Sequence, residues 1–201
     1  MSARPRLVII DNGGANIASL RFAFERLGCT PRLSSEPRVV RDATHVLLPG
    51  VGAAADAMAR LHRSGLAELI PVLTQPVLGI CLGMQLLYER SEEGDTACIG
   101  ALAGTARRMR AARDRPVPHM GWNQLTLERA SPLLDQVQTG EYAYFVHSYA
   151  VPVDSSTAAS CDYGGTFAAV VARENFLGTQ FHPERSAATG ARILANFLRL
   201  G

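Results

Sequence analysis

The sequence predicts an α/β fold with an open, mostly parallel central sheet flanked by helices and an added region of antiparallel strands in the second half. Two observations carry this prediction. In the first half, short apolar runs alternate with helical patterns, which is typical of parallel strands joined by crossover helices. In the second half, strand patterns follow one another with only turns between them, which favours antiparallel pairing.

The first half contains four predicted strands and four predicted helices. The strands are 6–10, 32–33, 45–48 and a run that starts at residue 77; the helices are 16–27, 52–63, 66–74 and 84–89. In helix 16–27, Ile17, Leu20, Phe24 and Leu27 lie on one face, and Gly28 ends the helix. The segment 66–74 is only weakly helical, since Pro71 breaks it.

The second half is predicted to contain six strands, at 103–108, 124–127, 141–146, 157–162, 168–172 and 176–181. Gly164-Gly165 and Glu174-Asn175 have the composition of hairpin turns. A closing helix is predicted at 187–200 with an apolar face of Leu194, Phe197 and Leu198. Because the chain contains no linker, repeat or low-complexity segment, we predict a single domain over residues 1–201.

Length and composition exclude several classes of protein. With 201 residues, 47% of them hydrophobic and 19% charged, the chain is expected to fold around a sizeable core. A net charge of +2 with scattered arginines argues against nucleic-acid binding, and no apolar run approaches a membrane span. The N-terminus leads directly into a predicted strand, so we expect a cytoplasmic protein. The four cysteines lack metal-ligand spacing, and we expect neither a metal nor a cofactor.

The most informative motif is a cysteine framed by glycines at the end of an apolar run. Residues 77–83 read VLGICLG, so Gly79 and Gly83 stand two positions either side of Cys81. This frame is the sequence form of a nucleophile elbow, a turn so tight that both neighbours must lack a side chain. The predicted helix 84–89 would place its amino end under the thiol and favour the reactive thiolate. The alternative is a buried core cysteine beside two incidental glycines.

A candidate base lies near the C-terminus, where residues 178–184 read GTQFHPE. Pro183 biases His182 toward an extended backbone, in which His182 and Glu184 project to the same side. The carboxylate can then fix the imidazole tautomer and leave the other ring nitrogen for the thiol. A surface turn fits these residues as well, but together with Cys81 they complete a Cys-His-Glu triad.

A candidate oxyanion site follows strand 45–48, where residues 49–52 read PGVG. Because Gly50 and Gly52 flank Val51, this backbone can aim an amide N–H or flip it. Such an N–H, with that of Leu82 just after the nucleophile, would hold a tetrahedral oxyanion. A plain strand-to-helix turn fits the same residues.

These motifs resemble a known family. GICLGMQ at 79–85 and HPE at 182–184 are similar to the class I, triad-type glutamine amidotransferases, which have a flavodoxin-like fold. PHMGWN at 118–123, YFVHSY at 144–149 and SEEG at 91–94 resemble, within that family, the glutaminase subunits of imidazole glycerol phosphate synthase from histidine biosynthesis. The resemblance runs from Asp11 to Arg185. It departs in loop 11–16, usually aromatic and glycine-rich, and at Arg185, where lysine is usual; both lie where the family meets its partner.

The resemblance implies a reaction and a partner. Glutamine would form a thioester on Cys81, and the released ammonia would pass directly to a cyclase (synthase) subunit that makes imidazole glycerol phosphate and AICAR. The two subunits would form a heterodimer. The expected partner interface includes Asn16, Met120, Trp122, Tyr144 and Arg185.

The resemblance also implies how glutamine is bound. Gln85 and Glu93 would grip its head group, Glu93 by pairing the α-ammonium group. The backbone of three consecutive residues would receive the carboxylate: His147, Ser148 and Tyr149. Without the resemblance, Glu93 would be interpreted as a solvated carboxylate at a helix end.

Rival interpretations concern both the base and the function. His45, at the start of a strand, and His62, on the polar side of a helix, are expected bystanders; His119 and His147 are further rival bases, although His147 has no carboxylate at a matching spacing. The rival functions are a glutaminase of another pathway, such as anthranilate, GMP or pyridoxal phosphate synthesis, a cysteine hydrolase or protease, and an inactive scaffold. The GWN and HSY segments argue against another pathway. Gln85 argues against a hydrolase or protease, and the complete triad argues against an inactive scaffold.

Overall fold

A twisted sheet forms the centre of the molecule. In the computed structural model, which describes residues 5–13 and 17–201, this sheet has eight strands, and two smaller sheets of two and four strands accompany it. Helices lie on both faces of the large sheet, as expected for parallel strands joined by crossovers. None of the helices in those two ranges is long and apolar enough to cross a membrane.

The strands are β1 Leu7–Ile10, β2 Arg32–Ser34, β3 His45–Gly50, β4 Val77–Cys81, β5 Tyr88–Ser91, β6 Thr96–Ala97, β7 Leu102–Arg108, β8 His119–Gln124, β9 Thr126–Leu127, β10 Tyr142–His147, β11 Tyr149–Ala150, β12 Thr157–Asp162, β13 Thr166–Arg173 and β14 Phe176–Thr179. The α-helices are α1 Ile17–Arg26, α2 Pro37–Arg41, α3 Ala54–Ser64, α4 Leu66–Leu69, α5 Leu82–Leu86 and α6 Ala187–Phe197. Short 3₁₀ turns occur at Ile70–Val72, Glu93–Asp95, Pro132–Leu134 and Pro183–Arg185.

The large sheet has the order β2-β1-β3-β4-β14-β13-β12-β9. The pairs along β2-β1-β3-β4-β14 are parallel, and those along β14-β13-β12-β9 are antiparallel. The predicted fold, a mostly parallel α/β sheet with antiparallel strands from the second half, is therefore confirmed. Strands β4 and β14 are neighbours, so the segments that follow them meet at the same edge of the sheet.

Alternate residues of the parallel strands enter two separate cores, one on each face of the sheet. In β1, Ile9 packs on the side that holds Phe24 of α1 and Phe197 of α6. Ile10 packs on the other side, against the group that contains Leu61 of α3. Successive side chains of a strand point to opposite faces of the sheet, and both faces of a parallel sheet are covered. Side chains on both faces are therefore buried, and the strands read as continuous apolar runs.

The two smaller sheets carry the segments that complete one end of the molecule. Strands β8 and β10 form an antiparallel pair in which His119 lies opposite His147. The other small sheet has the order β11-β7-β5-β6. Strands β10 and β11 are separated only by Ser148, so this residue joins the two small sheets.

The structure corrects two local predictions and adds one helix. The predicted helix 84–89 ends at Leu86, because Tyr88–Ser91 pairs with β7 and β6 instead. The predicted strand 124–127 is divided between β8, which already begins at His119, and the short β9. The helix Pro37–Arg41 was not predicted, since five residues are too few to display a helical period.

Candidate active site

Cys81 lies at a strained turn between strand β4 and helix α5. Its backbone has φ 54° and ψ −112°, a conformation that L-residues rarely adopt, and it occupies the position before the first residue of the helix. The side chain is 7% exposed. Such a turn is the geometry that projects a nucleophile from the carboxyl edge of a sheet.

The glycines around Cys81 are required by close backbone packing. A Cβ atom on Gly83 would lie 1.9 Å from the carbonyl oxygen of Leu48 in β3, and a Cβ on Gly79 would lie 2.7 Å from the backbone of Gly83. A Cβ on Gly50 would lie 2.5 Å from the Gly83 nitrogen. The first turn of α5 therefore rests directly on the sheet, which explains the glycine frame in the sequence.

His182 follows β14 and is held in place by its neighbours. Its Nδ1 atom lies 2.9 Å from Oε1 of Glu184, whose side chain is fully buried. The His182 amide donates to the Tyr144 carbonyl at 3.0 Å. The Ser186 hydroxyl donates to the His182 carbonyl at 2.7 Å and accepts from the Tyr144 amide at 3.0 Å. These bonds fix the imidazole with Nε2 left for the thiol.

The charge of His182 follows from its two partners. Burial lowers its pKa, but hydrogen bonds to Cys81 and Glu184, and the negative charges of both, outweigh burial and raise this pKa to about 10. The imidazole is therefore protonated at neutral pH. A cation in contact with a cysteine stabilises the thiolate, the nucleophilic form.

A cavity of about 310 Å³ opens beside the Cys81 side chain. Most of the predicted catalytic and substrate residues line it, and so do two residues that had no predicted role. The lining comprises Val51, Gly52, Cys81, Leu82, Gln85, Glu93, Pro118, Val146, His147, Ser148, Tyr149 and His182. Gly50 and Glu184 do not line it: Gly50 pairs with Cys81 in the sheet, and Glu184 supports His182.

The candidate oxyanion turn lies next to the nucleophile. Gly50 is the last residue of β3 and is the register partner of Cys81. Val51 and Gly52 continue along the cavity wall, and Gly52 has φ +88° with open space where a Cβ would stand. The turn thus begins in close packing at Gly50 and ends at a glycine with a positive φ, a conformation that L side chains rarely adopt.

Gln85 and Glu93 both bond to the protein as well as facing the cavity. Gln85 is buried, and its Nε2 donates to the Tyr149 carbonyl at 2.8 Å and to Oε1 of Gln180 at 2.9 Å. Oε2 of Glu93 accepts from the amide of Ala54, the first residue of α3, at 2.8 Å. Gln85 therefore fixes the Tyr149 segment, and Glu93 caps the helix that follows the candidate oxyanion turn.

Gln180 is a site residue that the sequence reasoning missed. It is fully buried, and its Nε2 lies 3.9 Å from Sγ of Cys81, within the range of a weak hydrogen bond to sulfur. The signal was present, since Gln180 stands two positions before His182 in a segment predicted to be a strand, where both side chains would project to the same side. Val146 was also missed; its carbonyl oxygen lies 3.7 Å from Sγ of Cys81.

The other histidines occupy different environments. His45 is buried, with its ring edge-on to Phe197 at 5.2 Å. His62 is exposed on α3, where it pairs with Glu68 at 2.9 Å. Neither lines the cavity. Among residues 5–13 and 17–201, no group of three or more His, Cys, Asp or Glu side chains could hold a metal ion.

The residues predicted at the partner interface lie on or beside the β8–β10 pair. Met120 is 64% exposed and Trp122 is 51% exposed, which is unusual for such large apolar side chains. Tyr144 is edge-on to Trp122 at 5.9 Å, and Arg185 is exposed. Asn16 lies outside the described residues.

The fold and the site define a class of protein. A family model described as "Glutamine amidotransferase class-I" matches residues 8–200. The chain belongs to this family. A solved structure of a glutamine amidotransferase superposes with a TM-score of 0.73 at 16% identity and covers 95% of this chain and 96% of its own, which supports the fold.

Within the family, the chain groups with the HisH subunits of imidazole glycerol phosphate synthase. It is 56% identical to "Imidazole glycerol phosphate synthase subunit HisH" of Xylella fastidiosa (strain Temecula1) over 96% of this chain and 97% of that protein. It is 55% identical to the HisH subunit of Xanthomonas campestris pv. campestris (strain 8004) with the same coverage. The resemblance inferred from the motifs is therefore confirmed.

Proposed function

We propose that this chain, as one domain, is a cytoplasmic glutaminase that hydrolyses glutamine to glutamate and ammonia. The proposal rests on one observation: Cys81 and His182, the latter backed by Glu184, lie together at the wall of one cavity. A thiolate beside an imidazolium is the arrangement used for acyl transfer from a carboxamide. Family membership supports the same chemistry.

In the proposed reaction, the Cys81 thiolate attacks the side-chain carbonyl carbon of glutamine. The electron pair of the C=O bond moves to oxygen, which faces the amide groups of the Val51–Gly52 turn and of Leu82. His182 gives its proton to the nitrogen, the C–N bond breaks, and ammonia leaves a glutamyl thioester on Cys81. Neutral His182 then takes a proton from water, which attacks the thioester; glutamate leaves, and the proton returns the active site to its starting state.

The cavity offers groups that match the two ends of glutamine. The Glu93 carboxylate, which lines the cavity and accepts from the Ala54 amide, is proposed to pair with the α-ammonium group. The backbone of Ser148 and Tyr149, kept in place by Gln85, is proposed to receive the carboxylate. His147 contributes to the same segment.

We further propose that ammonia passes directly to a cyclase (synthase) subunit that binds this chain as a heterodimer and makes imidazole glycerol phosphate and AICAR. Two observations support this: the relatives named above are subunits, and Met120 and Trp122 expose apolar side chains on one face. Direct transfer also keeps ammonia from being protonated in bulk water.

The experiment is to measure glutamate release by the purified chain alone, with the cyclase subunit, and with the cyclase and its nucleotide substrate. We expect a slow basal rate and an activation of about 10²–10³, the effect of completing one oxyanion donor. Full activity of the isolated chain, unchanged by the cyclase and its substrate, would instead support a free-standing cysteine hydrolase.

A further inference from the structure

His147, which lines the cavity, and His119, which does not, have side chains that form a hydrogen-bonded pair with no role in the proposed reaction. His119 and His147 face each other across β8 and β10, and His119 Nδ1 lies 3.0 Å from His147 Nε2. His119 is 2% exposed and His147 is 6% exposed. Two buried imidazoles in direct contact need a defined proton arrangement, because one must donate and the other must accept.

The direction of this chain is determined at the cavity end by a carbonyl group. His147 Nδ1 lies 2.9 Å from the Tyr149 carbonyl oxygen, which can only accept, so Nδ1 carries the proton. In a neutral ring Nε2 is then an acceptor, and His119 Nδ1 must be its donor. His119 Nε2 is consequently an acceptor, and Nδ2 of Asn123 lies 3.4 Å from it.

Backbone groups fix the other end of the chain as well. Oδ1 of Asn123 accepts from the Gln124 amide at 2.8 Å, and its Nδ2 donates to the Asp162 carbonyl at 2.9 Å. These two contacts distinguish the amide nitrogen from the oxygen. Asn123 can therefore only donate to His119.

The neutral state of both rings has a clear cause. Burial lowers the pKa of His119 to about 4. For His147, burial outweighs the hydrogen bond to the Tyr149 carbonyl and, together with repulsion from His119 and His182, lowers the pKa to about 3. Aromatic rings also confine His119: it stacks on Tyr163 at 4.0 Å and on Phe145 at 4.9 Å. Its ring cannot turn without disturbing both stacks.

We infer that Asn123, His119 and His147 are positioning residues that act in sequence to hold the Tyr149 carbonyl and, through it, the segment that lines the glutamine cavity. The Tyr149 oxygen accepts from His147 on one side and from Gln85 on the other, which fills both of its lone pairs. This series of hydrogen bonds begins at Asn123 on β8, a strand on which Met120 and Trp122 are exposed. It thereby connects that outer surface with the cavity.

The first test does not depend on catalysis. Long-range proton–nitrogen correlation spectra of the full chain, labelled with ¹⁵N-histidine, should show His119 and His147 at pH 7 as neutral rings protonated on Nδ1, the less common tautomer. Either ring protonated on Nε2 or found as imidazolium would overturn the inference. Because no substrate is needed, this result does not depend on the proposed function. The positioning role in glutamine binding does rest on that function.

The second test separates hydrogen bonding from packing at one position. His119→Phe keeps an aromatic ring between Phe145 and Tyr163 but removes the donor, and we expect KM for glutamine to rise about tenfold or more, with a smaller effect on kcat. His119→Asn restores an amide donor near the former Nδ1 and should bring KM to within about threefold of wild type.

The matched control is Tyr163→Phe, which preserves the stack and removes only the bond from the Tyr163 hydroxyl to the Pro116 carbonyl. It should leave KM unchanged. Equal KM values in wild type and His119→Phe, or equal losses in His119→Phe and His119→Asn, would overturn the positioning role. A wild-type chain that releases no glutamate with its cyclase would overturn the proposed function instead, while the tautomers would still test the hydrogen-bonded chain.

Discussion

The two sides of the cavity hold buried histidines in opposite charge states. His182 contacts a carboxylate and a thiol, and its pKa rises to about 10. His147 contacts a carbonyl group and a neutral ring, and its pKa falls to about 3. Burial favours the neutral ring in both places. Glu184 and Cys81, rather than the cavity as such, therefore account for the cation at His182.

The largest effect is expected when the nucleophile is removed. Cys81→Ala should reduce glutamine turnover on the order of 10⁶-fold, the scale found when a nucleophile is deleted. Synthesis from ammonium salts with the cyclase should remain. The measurement is glutamate release, and the control is Cys98→Ala, because burial raises the pKa of the Cys98 thiol to about 11 and Cys98 does not line the cavity. Near wild-type turnover in Cys81→Ala would make Cys81 a structural residue.

A smaller loss is expected when the carboxylate behind His182 is neutralised. Glu184→Gln removes a negative charge, so the pKa of His182 should fall and turnover should drop by about 10²–10⁴. In a pH–rate profile, the alkaline limb should move to lower pH, because the protonated imidazole is lost earlier.

The chain offers a matched control for this change. His62 and Glu68 have the same 2.9 Å separation, but both are exposed on the surface. Glu68→Gln should therefore leave the rate and the pH profile unchanged. Equal losses in the two variants would mean that Glu184 acts by maintaining the fold rather than by charging His182.

The neutral state of His119 should affect how the free energy of unfolding depends on pH. When folding lowers the pKa of a histidine, the unfolded chain takes up the proton at a higher pH than the folded chain does. The contribution of the neutral ring to the free energy of unfolding is therefore complete above about pH 6.5. This contribution is lost as pH falls toward the folded pKa of about 4 for His119. His119→Phe should therefore flatten the decline in free energy of unfolding between about pH 6.5 and 4. Urea titrations at several pH values measure it, and parallel curves for wild type and variant would contradict the prediction.

The smallest effect on the isolated chain is expected at the exposed face. Trp122→Ala should change the free energy of unfolding by only about 0.5 kcal/mol, because the side chain is half exposed. Activation by the cyclase should nevertheless fall, as it should for Arg185→Ala. Val72→Ala, which alters a 69% exposed residue in the 3₁₀ turn Ile70–Val72, is the control and should affect neither quantity. Unchanged activation in Trp122→Ala would remove this face from the proposed interface.

The sequence was most informative where local geometry demands a particular residue. The elbow could be predicted because only glycine tolerates the contacts found at Gly79 and Gly83. The contact between His182 and Glu184 was also predicted, but the extended backbone expected through both residues is wrong: His182 is extended, whereas Glu184 lies in the 3₁₀ turn Pro183–Arg185. The alternation of strands and helices was sufficient for the sheet, since parallel strands covered on both faces are apolar throughout.

The remaining features depend on contacts between distant segments. Nothing local indicates that His119 lies opposite His147, because a strand register is set by tertiary pairing. The apolar run after Cys81 fits a helix, yet Tyr88 enters a strand because β7 provides a partner for it. Gln180 resembles an ordinary strand residue until Cys81 and Gln85 are placed beside it.

The contact between Gly83 and Leu48 limits how this chain can respond to a partner. With the elbow pressed against β3, the nucleophile and the end of that strand must move as one solid piece. Gly52, by contrast, has φ +88° and open space where a Cβ would stand, so we expect any rearrangement here to be a rotation of the adjoining peptide unit. A rotation of that size leaves the outline and the helix content of the molecule as they were. We therefore expect X-ray scattering and circular dichroism to record no difference between the resting and the activated chain.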